Sequence, residues 1–124
     1  MKRLVVDLDD TLTKNNPDLS YSDKEPNLPL IEKLREYKSE GFDILIQTAR
    51  NMRTYQGAVG KINANTLPII IEWLKKHDVP YDEIYVGKPW CGTEGFYIDD
   101  RAVRPSEFLS LSIKEINKLI ETHK

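Results

Sequence analysis

The sequence predicts an α/β protein with a doubly wound, mostly parallel sheet. Short apolar runs alternate with longer amphipathic stretches along the 124 residues, in the order strand, helix, strand, helix, strand, strand. The first run, residues 4–6, is continuous rather than alternating, which is typical of a strand that is buried on both faces of a parallel sheet. Right-handed crossovers between such strands complete the predicted topology.

The first half of the chain has clear local signals. After the first strand, residues 14–27 are polar and rich in turn formers, which indicates a loop. Asn27 is the predicted N-cap of a helix that carries Pro29 in its first turn and ends at Gly41. A second strand is predicted over residues 42–47, and a second long loop over residues 49–65.

The second half repeats this alternation with shorter elements. A helix begins near Thr66, and short strands are predicted at residues 84–86 and 96–98. Ser112 is followed by Glu115 three residues later, which is the capping-box pattern of a helix start. We therefore expect the chain to end in an amphipathic helix.

Length and composition limit the classes of function. A chain of 124 residues predicts one domain, residues 1–124. With 18 basic and 20 acidic residues the net charge is -2, so nothing indicates a nucleic acid or a membrane surface as partner. No apolar run approaches the roughly 20 residues of a membrane span, and early charged residues disfavour a signal peptide, so we expect a cytoplasmic protein. The single cysteine, Cys91, excludes an intrachain disulfide.

Carboxylates follow two of the predicted strands. Asp7 and Asp9 come at the end of the first strand, with the hydroxyl of Thr11 two residues later, and Asp99 and Asp100 follow the last strand. Open parallel sheets bind ligands at the carboxyl edge of their strands. Clustered carboxylates repel each other unless a cation neutralises them, and Mg2+ prefers oxygen ligands. The sequence therefore predicts a magnesium-dependent site at this edge.

Four motifs, taken together, resemble those of the haloacid dehalogenase superfamily. They are residues 7–11 (DLDDT), Thr48 after an apolar strand, Lys88 in Val-Gly-Lys-Pro, and the pair Asp99-Asp100. Each motif alone occurs by chance, so their order over nearly the whole chain is the specific signal. The short length and residues 48–50 (TAR) are most similar to cap-less phosphatases, including the group called capsule biosynthesis phosphatases. The resemblance implies a three-layer, Rossmann-like sandwich without a cap domain.

The resemblance implies a phosphomonoester hydrolase. Asp7 would attack phosphorus and form an aspartyl-phosphate, because a carboxylate is ionised at neutral pH and leaves readily in the second step. Asp9 would act as general acid and then as general base. Mg2+ would bind to Asp7, to the backbone carbonyl of Asp9 and to Asp99.

Other residues would support this chemistry. Thr48, Lys88 and Arg50 would hold the oxygens of the transferred phosphoryl group. Asp100 and Thr11 would lie behind the metal ligands and orient them. Taken alone, Thr48 is more often a strand-end hydroxyl that caps a turn, and Lys88 is more often a solvated surface lysine. Only their order relative to the carboxylates favours the functional interpretation.

Some assignments stay open. Arg53 and Arg101 could bind a substrate phosphate or carboxylate through their planar forks, or be ordinary surface arginines. Only residues 89–95 separate Lys88 from the strand that precedes Asp99, whereas the superfamily usually places a helix there. Whether Lys88 reaches the site from a loop is therefore open.

For the substrate, the resemblance implies a sugar phosphate of surface polysaccharide (capsule) biosynthesis. A nucleotide, a nucleic-acid 3'-phosphate and a phosphoprotein stay open, although the charge balance disfavours long nucleic acids. A non-catalytic module that binds metal or phosphate is the alternative from another class. Without a cap, residues 51–65 and a neighbouring subunit would exclude water from the site, so we expect a homo-oligomer rather than a monomer.

Overall fold

Three parallel strands form the sheet, in the order β1–β2–β3. They are β1 (Arg3–Asp7), β2 (Asp43–Gln47) and β3 (Glu83–Tyr85). The computed structural model describes residues 1–124 and divides them into two units, Met1–Trp90 and Cys91–Lys124. The register between β1 and β2 runs from Arg3 opposite Asp43 to Asp7 opposite Gln47. The predicted α/β class and parallel sheet are confirmed, and the arrangement is Rossmann-like.

Five helices accompany the sheet. The first unit contains α1 (Leu28–Ser39), α2 (Val59–Asn65) and α3 (Leu67–Lys76), and the second contains α4 (Pro105–Ser110) and α5 (Ile113–Thr122). The predicted loop after β1 contains a single helical turn, Tyr21–Asp23, and an antiparallel bridge between Thr13 and Pro26. No helix is long and apolar enough to cross a membrane.

The start and end of α1 follow the predicted signals. The side chain of Asn27 accepts a hydrogen bond from the backbone N–H of Leu30 at 3.4 Å, and Pro29 lies in the first turn, where its missing N–H leaves no bond unmade. Gly41 follows the helix with a φ of +93°, a conformation that favours glycine. One face of α1 is buried, through Leu30, Ile31, Leu34 and Tyr37.

The helix α2 was not predicted. Residues 49–65 were expected to form a loop, but Val59–Asn65 is helical. One glycine and two asparagines in these seven residues lower the helix propensity, so the local signal is weak. Ile62 is fully buried and α2 packs on α3, so tertiary packing stabilises a helix that its sequence barely favours.

The helices α3 and α5 begin where predicted. Thr66 is the single residue between α2 and α3, so α3 follows α2 without an intervening loop. At the start of α5, the hydroxyl of Ser112 accepts a hydrogen bond from the backbone N–H of Glu115 at 3.2 Å, and the Glu115 carboxylate accepts one from the backbone N–H of Ser112 at 3.0 Å. This reciprocal pair is the predicted capping box.

Helices cover one face of the sheet, and the other face is partly open. Both crossovers move in the same direction along the sheet, so right-handed connections place α1, α2 and α3 on the same face. Val6, Ile44 and Ile46 share one face and are buried. On the opposite face Leu45 is buried, but Val5 beside it is 57% exposed. The predicted burial of β1 on both faces is wrong, because Val5 on this second face lies largely in solvent; the doubly wound arrangement stays a prediction.

The strand predicted at residues 96–98 is not formed. Phe96 and Ile98 are 77% and 90% exposed and lie outside any strand. A strand requires a neighbour that pairs with its backbone, and an apolar sequence alone does not supply one. Asp99 and Asp100 therefore follow an exposed segment instead of a strand end.

Candidate functional site

The candidate site begins at the carboxyl end of β1. Asp7 is the last residue of the strand, and a tight turn over Leu8–Leu12 follows it. Within this turn Asp10 has a φ of 61°, a left-handed conformation that Asp tolerates, and its backbone N–H donates to Oγ1 of Thr13 at 2.9 Å. The side chains of Asp7 and Asp9 are left 35% and 31% exposed, respectively, so both carboxylates are accessible.

A cation and a hydroxyl flank the Asp7 carboxylate. Nζ of Lys88 lies 3.4 Å from Oδ1, and Oγ1 of Thr11 lies 3.5 Å from Oδ2. Burial raises the pKa of Asp7, the nearby Lys88 ammonium opposes this, and the Asp9 carboxylate adds to it. The pKa is raised overall, so Lys88 does not fully offset the cost of ionising Asp7. A bound cation would reduce that cost.

Arg50 holds the carboxylate of Asp9 with two hydrogen bonds. Nε donates to Oδ2 at 3.1 Å and Nη2 donates to Oδ1 at 2.7 Å. The Arg50 side chain is 1% exposed, and its Cζ lies 4.0 Å from the centre of the Tyr21 ring. This fork geometry fixes the orientation of the Asp9 carboxylate as a single contact would not. The third nitrogen of the guanidinium, Nη1, is buried and has no hydrogen-bond partner in the protein.

Thr48 joins the segments that follow β2 and β3. It is buried, its backbone N–H donates to the Tyr85 carbonyl at 3.0 Å, and its own carbonyl accepts from the N–H of Lys88 at 3.1 Å. Its side-chain Oγ1 accepts from the backbone N–H of Arg50 at 3.0 Å. The hydroxyl hydrogen is still available as a donor. One residue thus sets the backbone positions of Lys88 and Arg50.

The first unit brings together six of the predicted site residues. They are Asp7, Asp9, Thr11, Thr48, Arg50 and Lys88. Lys88 comes from the loop after β3, and no helix begins there. The other two, Asp99 and Asp100, belong to the second unit, where Oδ1 of Asp99 accepts the backbone N–H of Arg101 at 2.8 Å.

The side chains that lie together in the site are too few to hold a metal ion by themselves. No group of three carboxylate, imidazole or thiol side chains converges as a metal site would. Asp7 and the Asp9 carbonyl are hard oxygen donors, and Mg2+ is often held by one or two carboxylates with water and substrate phosphate completing its shell. Burial, with a smaller contribution from the Asp9 carboxylate, raises the pKa of Asp7, and a bound cation would favour its ionised form. The chemistry of these donors fits Mg2+, and the role of Asp99 stays a prediction.

Two supporting residues were missed by sequence reasoning. The ring of Tyr21 stacks on Arg50, and burial, followed by the Asp9 charge, raises the pKa of its hydroxyl. Its only sequence signal is an aromatic residue within a polar loop. Asn27 was predicted as a helix cap, but its Nδ2 also donates to the Thr11 carbonyl at 3.1 Å, which ties the turn after β1 to α1.

Comparison with known proteins identifies a relative of this chain. No protein-family model matches, and no curated protein matches. A crystal structure of a structural-genomics target from Vibrio cholerae is 66% identical in sequence, with 100% of both chains covered and a TM-score of 0.95. Identity at this level over the whole length of both chains indicates common descent. The chain therefore belongs to the same protein family as this Vibrio cholerae protein.

Proposed function

We propose that the protein is a Mg2+-dependent phosphomonoester hydrolase that acts through an aspartyl-phosphate on Asp7. The observation that carries the proposal is the pair of accessible carboxylates at the end of β1, each with its own cationic partner. Asp7 lies beside the Lys88 ammonium, and Asp9 is fixed by the Arg50 fork. Two carboxylates in different surroundings suit two different roles, nucleophile and acid–base catalyst.

In the first step, an oxygen of Asp7 forms a bond to phosphorus while the bond from phosphorus to the substrate oxygen breaks. Asp9 gives its proton to the departing oxygen, so the product leaves as an alcohol. In the second step, water attacks the aspartyl-phosphate, Asp9 accepts a proton from that water, and the Asp7 carboxylate is regenerated with release of phosphate. The bidentate contact with Arg50 keeps Asp9 in one orientation through both steps.

Charge on the transferred group is balanced by donors of the first unit. The Lys88 ammonium lies at the nucleophile, and the Thr48 hydroxyl retains a hydrogen for a phosphoryl oxygen. Arg50 is predicted to bind phosphate as well; its Nη1, which does not hold Asp9, is buried, so this role requires the side chain to move when substrate binds. Mg2+ would be held by Asp7, the Asp9 carbonyl and Asp99, and when bound it neutralises phosphate charge.

The substrate we propose is a sugar phosphate of surface polysaccharide biosynthesis. Support comes from the resemblance of the motifs to cap-less phosphatases and from a site without a cap domain, which leaves room for a sugar. A nucleotide, a nucleic-acid 3'-phosphate or a phosphoprotein would enter the same opening. A panel of substrates therefore has to decide among these classes.

The direct test is phosphate release from an aryl phosphate and a panel of sugar phosphates, with Mg2+ and with a chelator. We expect turnover only with Mg2+, and a loss of at least about 10³-fold in Asp7→Asn, because the variant lacks the nucleophile. Asp10→Asn is the matched control, since Asp10 is adjacent and exposed and Asn tolerates its left-handed backbone. This control should retain activity.

Two outcomes would contradict the proposal. Turnover that survives Asp7→Asn would exclude an aspartyl-phosphate on this residue. No turnover on any substrate in the presence of Mg2+ would favour the non-catalytic metal- or phosphate-binding module, whose affinity for inorganic phosphate could then be measured by calorimetry.

A further inference from the structure

We propose that Tyr21 is a positioning residue that holds the Arg50 fork on the Asp9 carboxylate. Tyr21 lies outside all four of the sequence motifs, and it acts through Arg50 without touching the reacting atoms. The contact between the Tyr21 ring and Arg50 belongs to the folded chain itself. Its effect on catalysis rests on the proposed function.

The first observation is that hydrogen bonds satisfy only part of the Arg50 guanidinium. Nε and Nη2 donate to Asp9 at 3.1 and 2.7 Å, but Nη1 is buried without a hydrogen-bond partner. A buried donor without a partner costs free energy. The guanidinium would therefore gain a hydrogen bond by turning Nη1 towards water, and this turn would break the fork. A contact on the flat face of the guanidinium has to oppose it.

The second observation is that the Tyr21 ring supplies this contact. The Cζ atom of Arg50 lies 4.0 Å from the ring centre, well within the roughly 6 Å over which an aromatic face attracts a cation. The attraction is stronger where water is excluded, and the Arg50 side chain is 1% exposed. Tyr21 itself is 40% exposed, so on this side its ring separates the guanidinium from solvent.

The ring of Tyr21 is sufficient for this role, and the hydroxyl is not required. Attraction between a cation and an aromatic face uses the ring, which phenylalanine shares. Burial, followed by the Asp9 charge, raises the pKa of the Tyr21 hydroxyl, so the side chain is uncharged at neutral pH and adds no charge beside Asp9. A phenylalanine at this position should therefore preserve the function.

The third observation is that the loop carrying Tyr21 is anchored. The backbone N–H of Lys14 donates to the Glu25 carbonyl at 2.8 Å and closes the loop on itself. Nε1 of Trp73, a buried residue of α3, donates to the Lys24 carbonyl at 2.8 Å. A loop held at these points has already lost much of its conformational entropy, so the contact of Tyr21 with Arg50 requires little further ordering.

A continuous set of contacts thus connects α3 to the proposed general acid. Trp73 holds the loop, Tyr21 holds Arg50, and Arg50 holds Asp9. Asp9 has to face the departing oxygen in the first step and the attacking water in the second, so its orientation affects the rate of both. Under the proposed function, loss of the ring should lower kcat and leave KM nearly unchanged.

The first test compares Tyr21→Ala and Tyr21→Phe on an aryl phosphate with Mg2+. We expect kcat to fall about 10-fold in Tyr21→Ala, with KM within about 2-fold of wild type, and Tyr21→Phe to keep the wild-type kcat. Ser22→Ala is the matched control, because Ser22 is the exposed neighbour in the same helical turn. A wild-type kcat in Tyr21→Ala, or a Tyr21→Phe as slow as the alanine variant, would overturn the proposal.

A double-mutant cycle tests whether Tyr21 acts through Arg50. The fork is already lost in Arg50→Lys, so adding Tyr21→Ala should lower kcat by less than about 2-fold more. Two losses that multiply would show that the ring acts independently of Arg50, which would contradict the positioning role.

A third measurement does not depend on activity. The Nε–H of Arg50 is buried and hydrogen-bonded, so its proton should exchange slowly with water and give a separate NMR signal, which Arg50→Lys identifies by its loss. We expect this exchange to be about 10-fold faster in Tyr21→Ala and unchanged in Tyr21→Phe and Ser22→Ala. Equal exchange in wild type and Tyr21→Ala would refute the support of Arg50 by Tyr21. The expected exchange in a protein that releases phosphate from no substrate would retain that support and refute the proposed function.

Discussion

Arg50 is the most constrained side chain of the candidate site. Its guanidinium bonds Asp9 twice, stacks on Tyr21 and is 1% exposed, while its backbone N–H is held by Thr48. A buried charge is tolerated only where its partners are well placed, and removal of one partner costs much more than the pair contributes. The surroundings of Arg50 therefore require the orientation of its guanidinium as well as its positive charge.

Replacement of Arg50 should separate these two contributions. We expect Arg50→Ala to lower kcat by about 10²-fold, because the Asp9 carboxylate loses its fixed orientation. Arg50→Lys keeps the charge but loses the fork, so its kcat should fall nearly as far. Steady-state kinetics on an aryl phosphate with Mg2+ measures both. Arg35→Ala is the control, since the Arg35 guanidinium pairs with Glu32 and Asp78 and with no predicted site residue. A kcat for Arg50→Lys equal to wild type would contradict the orienting role.

The ionised Asp7 carboxylate should lower the free energy of unfolding at neutral pH. Its pKa in the folded state is raised above 3.8, chiefly by burial. When the pKa of a carboxyl is higher in the folded than in the unfolded state, ionisation of the group disfavours folding. Its contribution to the free energy of unfolding therefore declines as the pH rises from the unfolded-state pKa through the folded-state pKa. The side chain of the Asp7→Asn variant does not ionise, so the stability of the variant does not decline with pH for this reason.

Thermal unfolding in chelator should show this effect. We expect the melting temperature of Asp7→Asn to exceed that of the wild type at pH 7, with a smaller difference at pH 3. Addition of Mg2+ should then raise the wild-type melting temperature more than that of the variant, because a ligand stabilises the state it binds. A variant less stable than the wild type at pH 7 in chelator would show that the contact with Lys88 outweighs burial.

Among the elements, α1 and the turn after β1 depend on one shared residue. Asn27 caps the helix through Leu30 and holds the Thr11 carbonyl through its amide. Loss of a cap costs about 1 kcal/mol, and loss of the second hydrogen bond about as much again. Asn27→Ala should therefore lower the free energy of unfolding by about 2 kcal/mol in urea denaturation. Asn117→Ala, at an exposed position of α5, should change it by less than about 0.5 kcal/mol; equal effects would exclude the cap.

Elements with strong local signals were predicted from the sequence. Both ends of α1 and the start of α5 carry capping residues that act through neighbours three residues away. The errors arose where distant contacts decide. Burial of Ile62 makes a helix of Val59–Asn65 despite poor propensity, and residues 96–98 lack a neighbouring strand despite high propensity.

Part of the site was predictable because the carboxyl ends of parallel strands lie at the same edge of the sheet. That rule brings Asp7 and Thr48 to one region, and the structure adds Lys88 from a loop. The link from Arg50 to Asp9 spans 41 residues and depends on side-chain packing, so no local pattern indicates it. For the same reason the stacking of Tyr21 was not predicted.

In the whole molecule, the motifs of the one predicted site are spread over both structural units. Six predicted site residues lie in Met1–Trp90, and Asp99 and Asp100 lie in Cys91–Lys124. The first unit has most of the buried core, whereas the second exposes apolar side chains. A unit with so little core gains its stability from what it packs against. The place of Asp99 in the metal site therefore stays a prediction.

The position of Thr48 has a consequence for local motion. Because its amide, carbonyl and hydroxyl each hold a different segment, β3 and the loops bearing Arg50 and Lys88 can separate only when Thr48 releases them. The amide hydrogens of Thr48, Arg50 and Lys88 should then exchange with deuterium at a common rate, as one cooperative unit. Protection of these three amides would report on the integrity of the site in the absence of any substrate.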